Sequence, residues 1–205
     1  MPANKPYVIG LTGGIGCGKT EAAKYLETLG AARFDADEVS RALTAPGGAA
    51  LPAIRDQFGD DVFNPDGTLD RAALGQLVFS SAPHRRALEG IIHPLVQREM
   101  LERMDAAAAS GAKVVILDVP LLFETGMDAL CDETWALYLA REKQISRVVT
   151  RDGLTREQAE ARIASQMPTE ARNARATRAI DTDQPVEKTR QLLAALYRQA
   201  EKRAG

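Results

Sequence analysis

The segment Gly13–Thr20, with the sequence GGIGCGKT, brings glycines, one lysine and one hydroxyl side chain together in a short piece of chain. It fits the pattern G-x-x-x-x-G-K-[ST], in which backbone N–H groups converge on a phosphate and the lysine contacts the terminal phosphates. Glycine permits the tight wrapping of such a loop. The pattern predicts a phosphate-binding loop for ATP, with contacts from Gly13, Gly14, Ile15, Gly16, Cys17, Gly18, Lys19 and Thr20.

The flanking sequence has the elements that must position this loop. The apolar run Tyr7–Leu11 precedes it and predicts a strand, and Thr20–Leu29 follows with apolar residues at helical spacing. Gly30 then predicts the end of the helix. A glycine-rich turn with a solvated lysine is the alternative, but the position between strand and helix favours the phosphate-binding interpretation.

A carboxylate near the end of another apolar run is the candidate metal ligand. Asp118 follows Val114–Leu117, and with the hydroxyl of Thr20 it would hold Mg²⁺ directly or through water. The alternative is that Asp118 only ends the strand. A phosphate-binding loop identifies a bound nucleotide and leaves the reaction open.

Strands and helices alternate along most of the chain. Further strands are predicted at 31–34, 113–119, 134–139 and 177–180, and helical patterns lie between them. Alternation of this kind indicates a parallel sheet, so we expect one three-layer α/β domain over residues 1–205.

Residues 45–111 depart from this alternation, because they contain only helical patterns. Helices are predicted at 49–58, 70–80, 84–92 and 94–109, with breaks at proline and glycine. We expect an inserted helical subdomain here. Further along, Thr155 and Gln158 form a possible capping box for a helix that reaches residue 166.

Composition restricts the functional class. The chain is 45% hydrophobic and 26% charged, as soluble domains are, and its net charge of −2 argues against a broad nucleic-acid-binding face. Its most apolar stretch, 114–123, contains Asp118 and Pro120 and is too short to span a membrane. We therefore expect no nucleic-acid partner and no membrane association.

The N-terminus and the cysteines indicate the compartment. MPANKPYVIG lacks the apolar region of a signal peptide, so we expect a cytoplasmic protein. Cys17 and Cys131 are far apart and form no CxxC motif, so neither a disulfide framework nor a zinc site is predicted. For assembly, we expect a monomer or a weak homo-oligomer.

Several longer segments carry a family resemblance. They are DAD at 35–37, RRALEGIIHPLV at 85–96, LDVPLLFETGM at 117–127 and RDGLTREQAEARIASQ at 151–166. With these segments the sequence closely resembles the dephospho-coenzyme A kinase family, from Val8 to about Ile180. The resemblance implies a P-loop kinase fold with a helical CoA-binding subdomain at 45–111 and a helical lid at 140–170.

The resemblance also implies a reaction and its main residues. ATP would phosphorylate the ribose 3′-hydroxyl of dephospho-CoA, which is the last step of coenzyme A biosynthesis. Asp37 matches the family's catalytic aspartate, which would orient the attacking hydroxyl. Arg147 matches a lid arginine that would close over the transferring phosphoryl group, with Lys19 as the third catalytic residue. Capping of the helix after strand two is the alternative for the Asp37 and Asp35 carboxylates.

The acceptor site is less sharply defined. His93 precedes Pro94, which would start a helix and hold the histidine at its entrance. Packing or capping is the alternative for His93, and simple core for Phe123. The predicted acceptor contacts are Asp35, Arg85, His93, Phe123 and Glu124.

The sequence departs from the family pattern at two places, and two alternative functions are compatible with the phosphate loop. Cys17 stands where relatives commonly have serine or alanine, and Asp181-Thr182 replaces the pair that flanks the adenine, which puts adenine contacts at 180–182 in doubt. Another small-acceptor P-loop kinase, acting on a nucleoside monophosphate or a shikimate-like alcohol, would share the loop. A nucleotide-binding regulatory module would share it too, although this chain has no NKxD guanine signature.

Overall fold

Residues 5–204 are described by a computed structural model. In this range five parallel strands form one sheet in the order β2-β3-β1-β4-β5. The predicted α/β fold with a parallel sheet is confirmed. The strands are β1 (Tyr7–Gly13), β2 (Ala32–Asp35), β3 (Val114–Asp118), β4 (Glu133–Tyr138) and β5 (Arg178–Asp181).

Helices connect the strands, as parallel pairing requires. Short 3₁₀ helices occur at Asp60–Val62 and Met127–Leu130. The α-helices are α1 (Lys19–Thr28), α2 (Ala36–Leu43), α3 (Leu51–Phe58), α4 (Arg71–Ser80), α5 (Ala82–Ala109), α6 (Arg141–Asp152), α7 (Arg156–Ala164), α8 (Thr169–Arg175) and α9 (Val186–Arg203).

The sheet core explains the near-continuous apolar runs of the sequence. All five residues of β3 are buried, because helices and neighbouring strands cover a parallel sheet on both faces. Helices α1 and α9 pack together and against the sheet, with Leu26, Trp135 and Leu193 fully or almost fully buried in one cluster. This core fixes the position of β1 and α1, and therefore the two ends of the loop between them.

The carboxyl ends of the parallel strands meet at one edge of the sheet. Asp118 of β3 is level with Leu11 of β1 and with Asp35 of β2, and Tyr138 of β4 is level with Asp181 of β5. The strand order reverses direction around β1, and ligands in open α/β sheets bind beyond the carboxyl ends at such a point. The topology therefore places the predicted phosphate loop and Asp118 at the same edge.

The described part of the chain divides into two compact units. One contains the residues up to Asp35 and from Met104 onward, which include the sheet, and the other is Ala36–Arg103. The second unit is helical, and its interior includes Ile54, Val62 and Leu74. Asp70 caps α4 by accepting hydrogen bonds from the first-turn N–H groups.

Helix α5 corrects the predicted break at Pro94. It runs without interruption from Ala82 to Ala109, so Pro94 lies in its interior and does not start a helix. Proline loses one N–H and crowds the carbonyl four residues earlier. That residue is Gly90, which has no side chain to add to the crowding. Buried residues at helical spacing beyond the proline, including Val96 and Met100, keep the helix continuous.

The segment that follows β4 forms its own small core. The capping box predicted at Thr155 and Gln158 is confirmed, and it begins α7. Helices α6 and α7 pack together through a cluster of buried apolar side chains, against which the loop residue Ile15 also packs. The cluster consists of Ile145, Val148, Ala159 and Ile163.

A helix that crosses a bilayer needs about 20 mostly apolar residues. Among residues 5–204 no helix is both long and apolar enough to cross a bilayer.

A nearly buried carboxylate, that of Glu133 in β4, links β5 and α9 to the middle of the first unit. Glu133, 6% exposed, accepts hydrogen bonds from Trp135 Nε1 at 2.9 Å and from Arg178 Nε at 3.0 Å, and it also pairs with Arg203 of α9. Burial by itself would raise the pKa of Glu133, but Arg178, Trp135 and Arg203 outweigh burial and lower it to about 2. The ionised carboxylate therefore stabilises the fold.

We expect Glu133→Gln to lower the free energy of unfolding by about 3.5 kcal/mol at neutral pH, because the folded state lowers the Glu133 pKa from 4.5 to about 2 and each pKa unit corresponds to about 1.4 kcal/mol. The Glu133 pKa is 4.5 in the unfolded chain and about 2 in the folded state. This stabilisation is therefore present above pH 4.5 and is lost as the pH falls towards 2. Urea unfolding from pH 7 to pH 3 measures it, with the exposed Glu187→Gln of α9 as control. A difference from wild type that does not change with pH would contradict this role.

Candidate active site

The loop between β1 and α1 has the backbone conformation of an anion cradle. Gly16 and Gly18 have φ of 79° and 82°, in the left-handed region that glycine adopts without strain. A Cβ at Gly13 would lie 2.8 Å from the Leu137 carbonyl oxygen, and one at Gly14 would lie 2.7 Å from Gln144 Nε2. The glycines therefore serve both the turn and the close packing of the loop against β4 and α6.

Three consecutive carbonyl groups of the loop are held from outside by side chains. Ile15 O accepts from Gln144 Nε2 at 2.8 Å, Gly16 O from Arg147 Nη1 at 3.3 Å, and Cys17 O from Thr182 Oγ1 at 3.1 Å. A trans peptide points its N–H away from its C=O. The N–H groups of Gly16 and Gly18 consequently point away from these donors, as a phosphate site requires.

The terminal cation of the loop is already paired with the predicted metal ligand. Lys19 begins α1, and its Nζ forms an ion pair with Asp118 Oδ1. The Asp118 side chain is fully buried, whereas Lys19 is 14% exposed. The structure therefore brings the loop lysine and the strand-end carboxylate into an ion pair that the sequence analysis did not predict.

Arg33 is a member of this cluster that the sequence analysis missed. Its Nε and Nη2 donate to Asp118 Oδ2 at 3.0 and 2.8 Å, and Nη2 also donates to Asp35 Oδ2 at 2.5 Å. The four side chains form the row Lys19, Asp118, Arg33, Asp35 along the carboxyl edge of the sheet. Arg33 alternates with apolar residues in β2, and only the register of β2 against β3 reveals its partner.

The donors available for a magnesium ion are oxygen atoms. Thr20 is exposed in the first turn of α1, and Asp118 lies at the end of the neighbouring strand. Within residues 5–204 no group of three or more His, Cys, Asp or Glu side chains could hold a metal alone. This set fits Mg²⁺, which keeps waters and phosphate oxygens among its ligands. Both Asp118 oxygens carry cations, so a water-mediated contact fits better than direct ligation while Lys19 stays paired.

A cavity of about 440 Å³ lies beside the loop. Its walls combine apolar side chains with the guanidinium of Arg147 and the amide of Gln184, and the lining also contains Glu21, Thr189 and Arg190. Such a mixture suits a flat heterocycle with polar edges. Besides these residues, the lining includes Gly18, Tyr25, Leu137, Thr182, Val186 and Leu193.

Thr182 belongs to the pair for which the sequence analysis expected a departure from the family pattern. It is 8% exposed, and its hydroxyl bonds to the carbonyls of Cys17 and Tyr138 at 3.1 and 2.9 Å. Its polar atom therefore connects the loop to the end of β4. Cys17 is also buried, and burial raises the pKa of its thiol despite the nearby charges of Arg172 and Arg147. The Cys17 thiol is thus poorly suited to react.

The predicted residues of the second unit lie on two helices. Asp37 is exposed in the first turn of α2, which begins at Ala36. Arg85 is exposed on α5, with its Nε 4.0 Å from Glu89. His93 is half-buried inside α5, so its predicted position at a helix entrance is wrong.

Phe123 and Glu124 follow β3 in the first unit. Phe123 is 5% exposed, and the guanidinium carbon of Arg175 lies 4.6 Å from its ring centroid. Glu124 is exposed. The structure therefore places Phe123 against packed side chains and leaves Glu124 in solvent.

Two glutamines near the loop were also missed by sequence reasoning. Gln144 lies on α6 and Gln166 just beyond α7, and both bond to the backbone of Ile15. Gln166 ends one of the segments that carry the family resemblance, which was the available signal. Glutamine is ordinary in helices, so its type and spacing alone give no indication of a contact across the fold.

Comparison with known proteins agrees with this geometry. The sequence profile of dephospho-CoA kinase matches residues 7–188. A dephospho-CoA kinase from Symbiobacterium thermophilum is 42% identical over 193 residues, which cover 94% of this chain and 81% of that protein.

Solved structures show the same fold over nearly the whole chain. A protein from Thermus thermophilus has a TM-score of 0.81 and 34% identity, covering 95% of this chain and 97% of its own. A dephospho-CoA kinase from Campylobacter jejuni has a TM-score of 0.72 and 25% identity over the same shares. By profile, sequence and structure, the chain belongs to the dephospho-CoA kinase family.

Proposed function

We propose that this chain transfers the γ-phosphoryl group of ATP to the ribose 3′-hydroxyl of dephospho-CoA, giving coenzyme A and ADP in the last step of CoA biosynthesis. Family membership supports the reaction and its two substrates. The observation that carries the proposal is the complete phosphate loop, whose carbonyls are held outward and whose Lys19 pairs with Asp118.

The triphosphate would bind through the loop amides and Lys19. Its charge attracts Lys19 away from Asp118, and Arg33 then continues to compensate the buried carboxylate. Lys19 would thereby reach the β and γ phosphates without leaving an unpaired charge in the core. The purine would occupy the cavity beside the loop, whose lining includes Tyr25, Leu137 and Gln184.

Thr20 and Asp118 would hold Mg²⁺ together with phosphate oxygens and water. When bound, the metal neutralises charge that develops on the β and γ oxygens. The protein contributes the hydroxyl at the start of α1 and the carboxylate at the end of β3, which the fold supplies at one edge of the sheet.

In the transfer, the acceptor 3′-oxygen bonds to the γ-phosphorus while the bond from that phosphorus to the bridging β–γ oxygen breaks. We assign Asp37 the task of orienting the hydroxyl and accepting its proton. Such transfers have a loose transition state, so alignment of the nucleophile matters more than a strongly basic carboxylate. Arg147 would stabilise the equatorial oxygens after releasing the Gly16 carbonyl.

The remaining assignments follow the family resemblance. Residues 45–111 would form the CoA-binding subdomain, and 140–170 would form the lid. We further propose a cytoplasmic location and a monomeric or weakly oligomeric state. The acceptor would contact Asp35, Arg85, His93, Phe123 and Glu124.

The reaction is tested by incubating the chain with ATP and dephospho-CoA, AMP, shikimate or no acceptor. We expect ADP and coenzyme A in equal amounts with dephospho-CoA alone, measured by mass spectrometry. Phosphorylation of AMP or shikimate instead would indicate another small-acceptor kinase. Free phosphate formed equally under all conditions would indicate a nucleotide-hydrolysing module.

Lys19→Met should lower kcat at least about 100-fold, because it removes a strong electrostatic donor to the transferring phosphoryl group. The same substitution at Lys24, which is exposed on α1, is the matched control and should leave kcat unchanged. Steady-state assays measure both variants. Near-normal turnover of Lys19→Met would contradict the assigned role.

Asp37→Asn should lower kcat about 100-fold or more while dephospho-CoA affinity stays within about threefold, because the side chain keeps its shape and loses its proton acceptor. Calorimetry and steady-state assays separate the two effects, with the exposed Asp61→Asn as control. If Asp37→Asn retains high turnover, Asp35 becomes the better candidate for the proton acceptor.

A further inference from the structure

Both polar groups of one loop residue are bound by side chains from outside the loop. Gln144 Nε2 donates to Ile15 O at 2.8 Å, and Ile15 N donates to Gln166 Oε1 at 2.9 Å. Gln144 is 3% exposed, and Gln166 is half-buried. Two glutamine amides, one on α6 and one in the segment after α7, therefore hydrogen-bond to the backbone of Ile15.

The side chain of Ile15 is held by the same two helices. It packs against the apolar cluster formed by α6 and α7, which includes Val148 and Ile163. Gln144 also packs closely against the preceding residue, Gly14, because a Cβ at that position would lie 2.7 Å from Gln144 Nε2. Ile15 is thus fixed at its N–H, at its C=O and at its side chain.

A buried arginine supports the second glutamine. Arg172, 2% exposed on α8, donates from Nη2 to Met167 O at 2.8 Å, and Met167 is the residue after Gln166. The Arg172 Nη1 atom is 3.2 Å from the position that a Gly14 Cβ would occupy. The chain that presents Gln166 is therefore anchored beside the loop.

We propose that Gln144 and Gln166 are positioning residues that clamp the Ile15 peptide groups and so keep the loop amides aimed at the nucleotide phosphates. The Ile15 C=O and the Gly16 N–H belong to one peptide plane, so a bond to the carbonyl sets the direction of the amide. Through these two bonds, α6 and the segment after α7 would set the orientation of the phosphate loop. The inference rests on the proposed function only in taking ATP as the occupant of the loop.

The clamp predicts weaker ATP binding when either amide is removed. Gln144→Met and Gln166→Met keep the side-chain length and lose one hydrogen bond to Ile15, and each should raise the Kd for ATP about tenfold. Both bonds hold one residue, so the double variant should lose less than the product of the two single losses. Gln199→Met, at an exposed position of α9, is the matched control and should bind like wild type.

Gln144 donates its hydrogen bond and Gln166 accepts one, and this difference allows a rescue test. Gln166 accepts a hydrogen bond from Ile15 N, so Gln166→Glu keeps the acceptor and should bind ATP within about threefold of wild type. Gln144 donates to Ile15 O, so Gln144→Glu loses the donor and should bind no better than Gln144→Met. A residue that only fills space would show no such asymmetry.

Calorimetric titration with ATP, without an acceptor, measures these affinities, and urea unfolding measures the fold of each variant. Normal ATP affinity in both methionine variants, or equal behaviour of the two glutamate variants, would overturn the clamp. If Gln144→Met does not fold, the half-buried Gln166 variants decide by the same criteria. ATP titration needs no acceptor, so failure to phosphorylate dephospho-CoA would refute the proposed function and leave this test intact.

Discussion

The structure depends on a carboxylate that is fully buried at the carboxyl edge of the sheet. Asp118 would carry a large desolvation cost without cations, and it has two of them, Lys19 on one oxygen and Arg33 on the other. Lys19 is also the cation that a phosphate loop needs for its ligand. In the proposed function, Arg33 would therefore keep Asp118 compensated when Lys19 moves to the nucleotide phosphates.

The parallel sheet is what brings these charges together. Asp118 lies level with Leu11 of β1 and Asp35 of β2, so the loop after β1 opens directly beside both carboxylates. The loop is then held in shape by elements distant in sequence, namely α6, the segment after α7 and the end of β5. Its glycines supply the conformation, and these side chains supply the orientation.

Much of this arrangement was predictable from the residues. The loop motif, the strand before it and the apolar strands predicted the fold and the position of the loop between β1 and α1, because these signals are local or follow from parallel topology. The prediction at Pro94 was wrong, since a proline usually breaks a helix, whereas here buried residues beyond it, including Val96 and Met100, keep α5 continuous. Arg33, Gln144 and Gln166 could not be assigned, because their partners are set by strand register and helix packing rather than by sequence spacing.

The central claim is that Lys19 exchanges its ion pair with Asp118 for the nucleotide phosphates while Arg33 stays with Asp118. A crystal structure with a non-hydrolysable ATP analogue, Mg²⁺ and dephospho-CoA tests it most directly. The account predicts Lys19 Nζ at about 3 Å from β or γ phosphate oxygens, with Arg33 still bonded to Asp118. Phosphates bound away from the loop amides, with Lys19 still on Asp118, would contradict it.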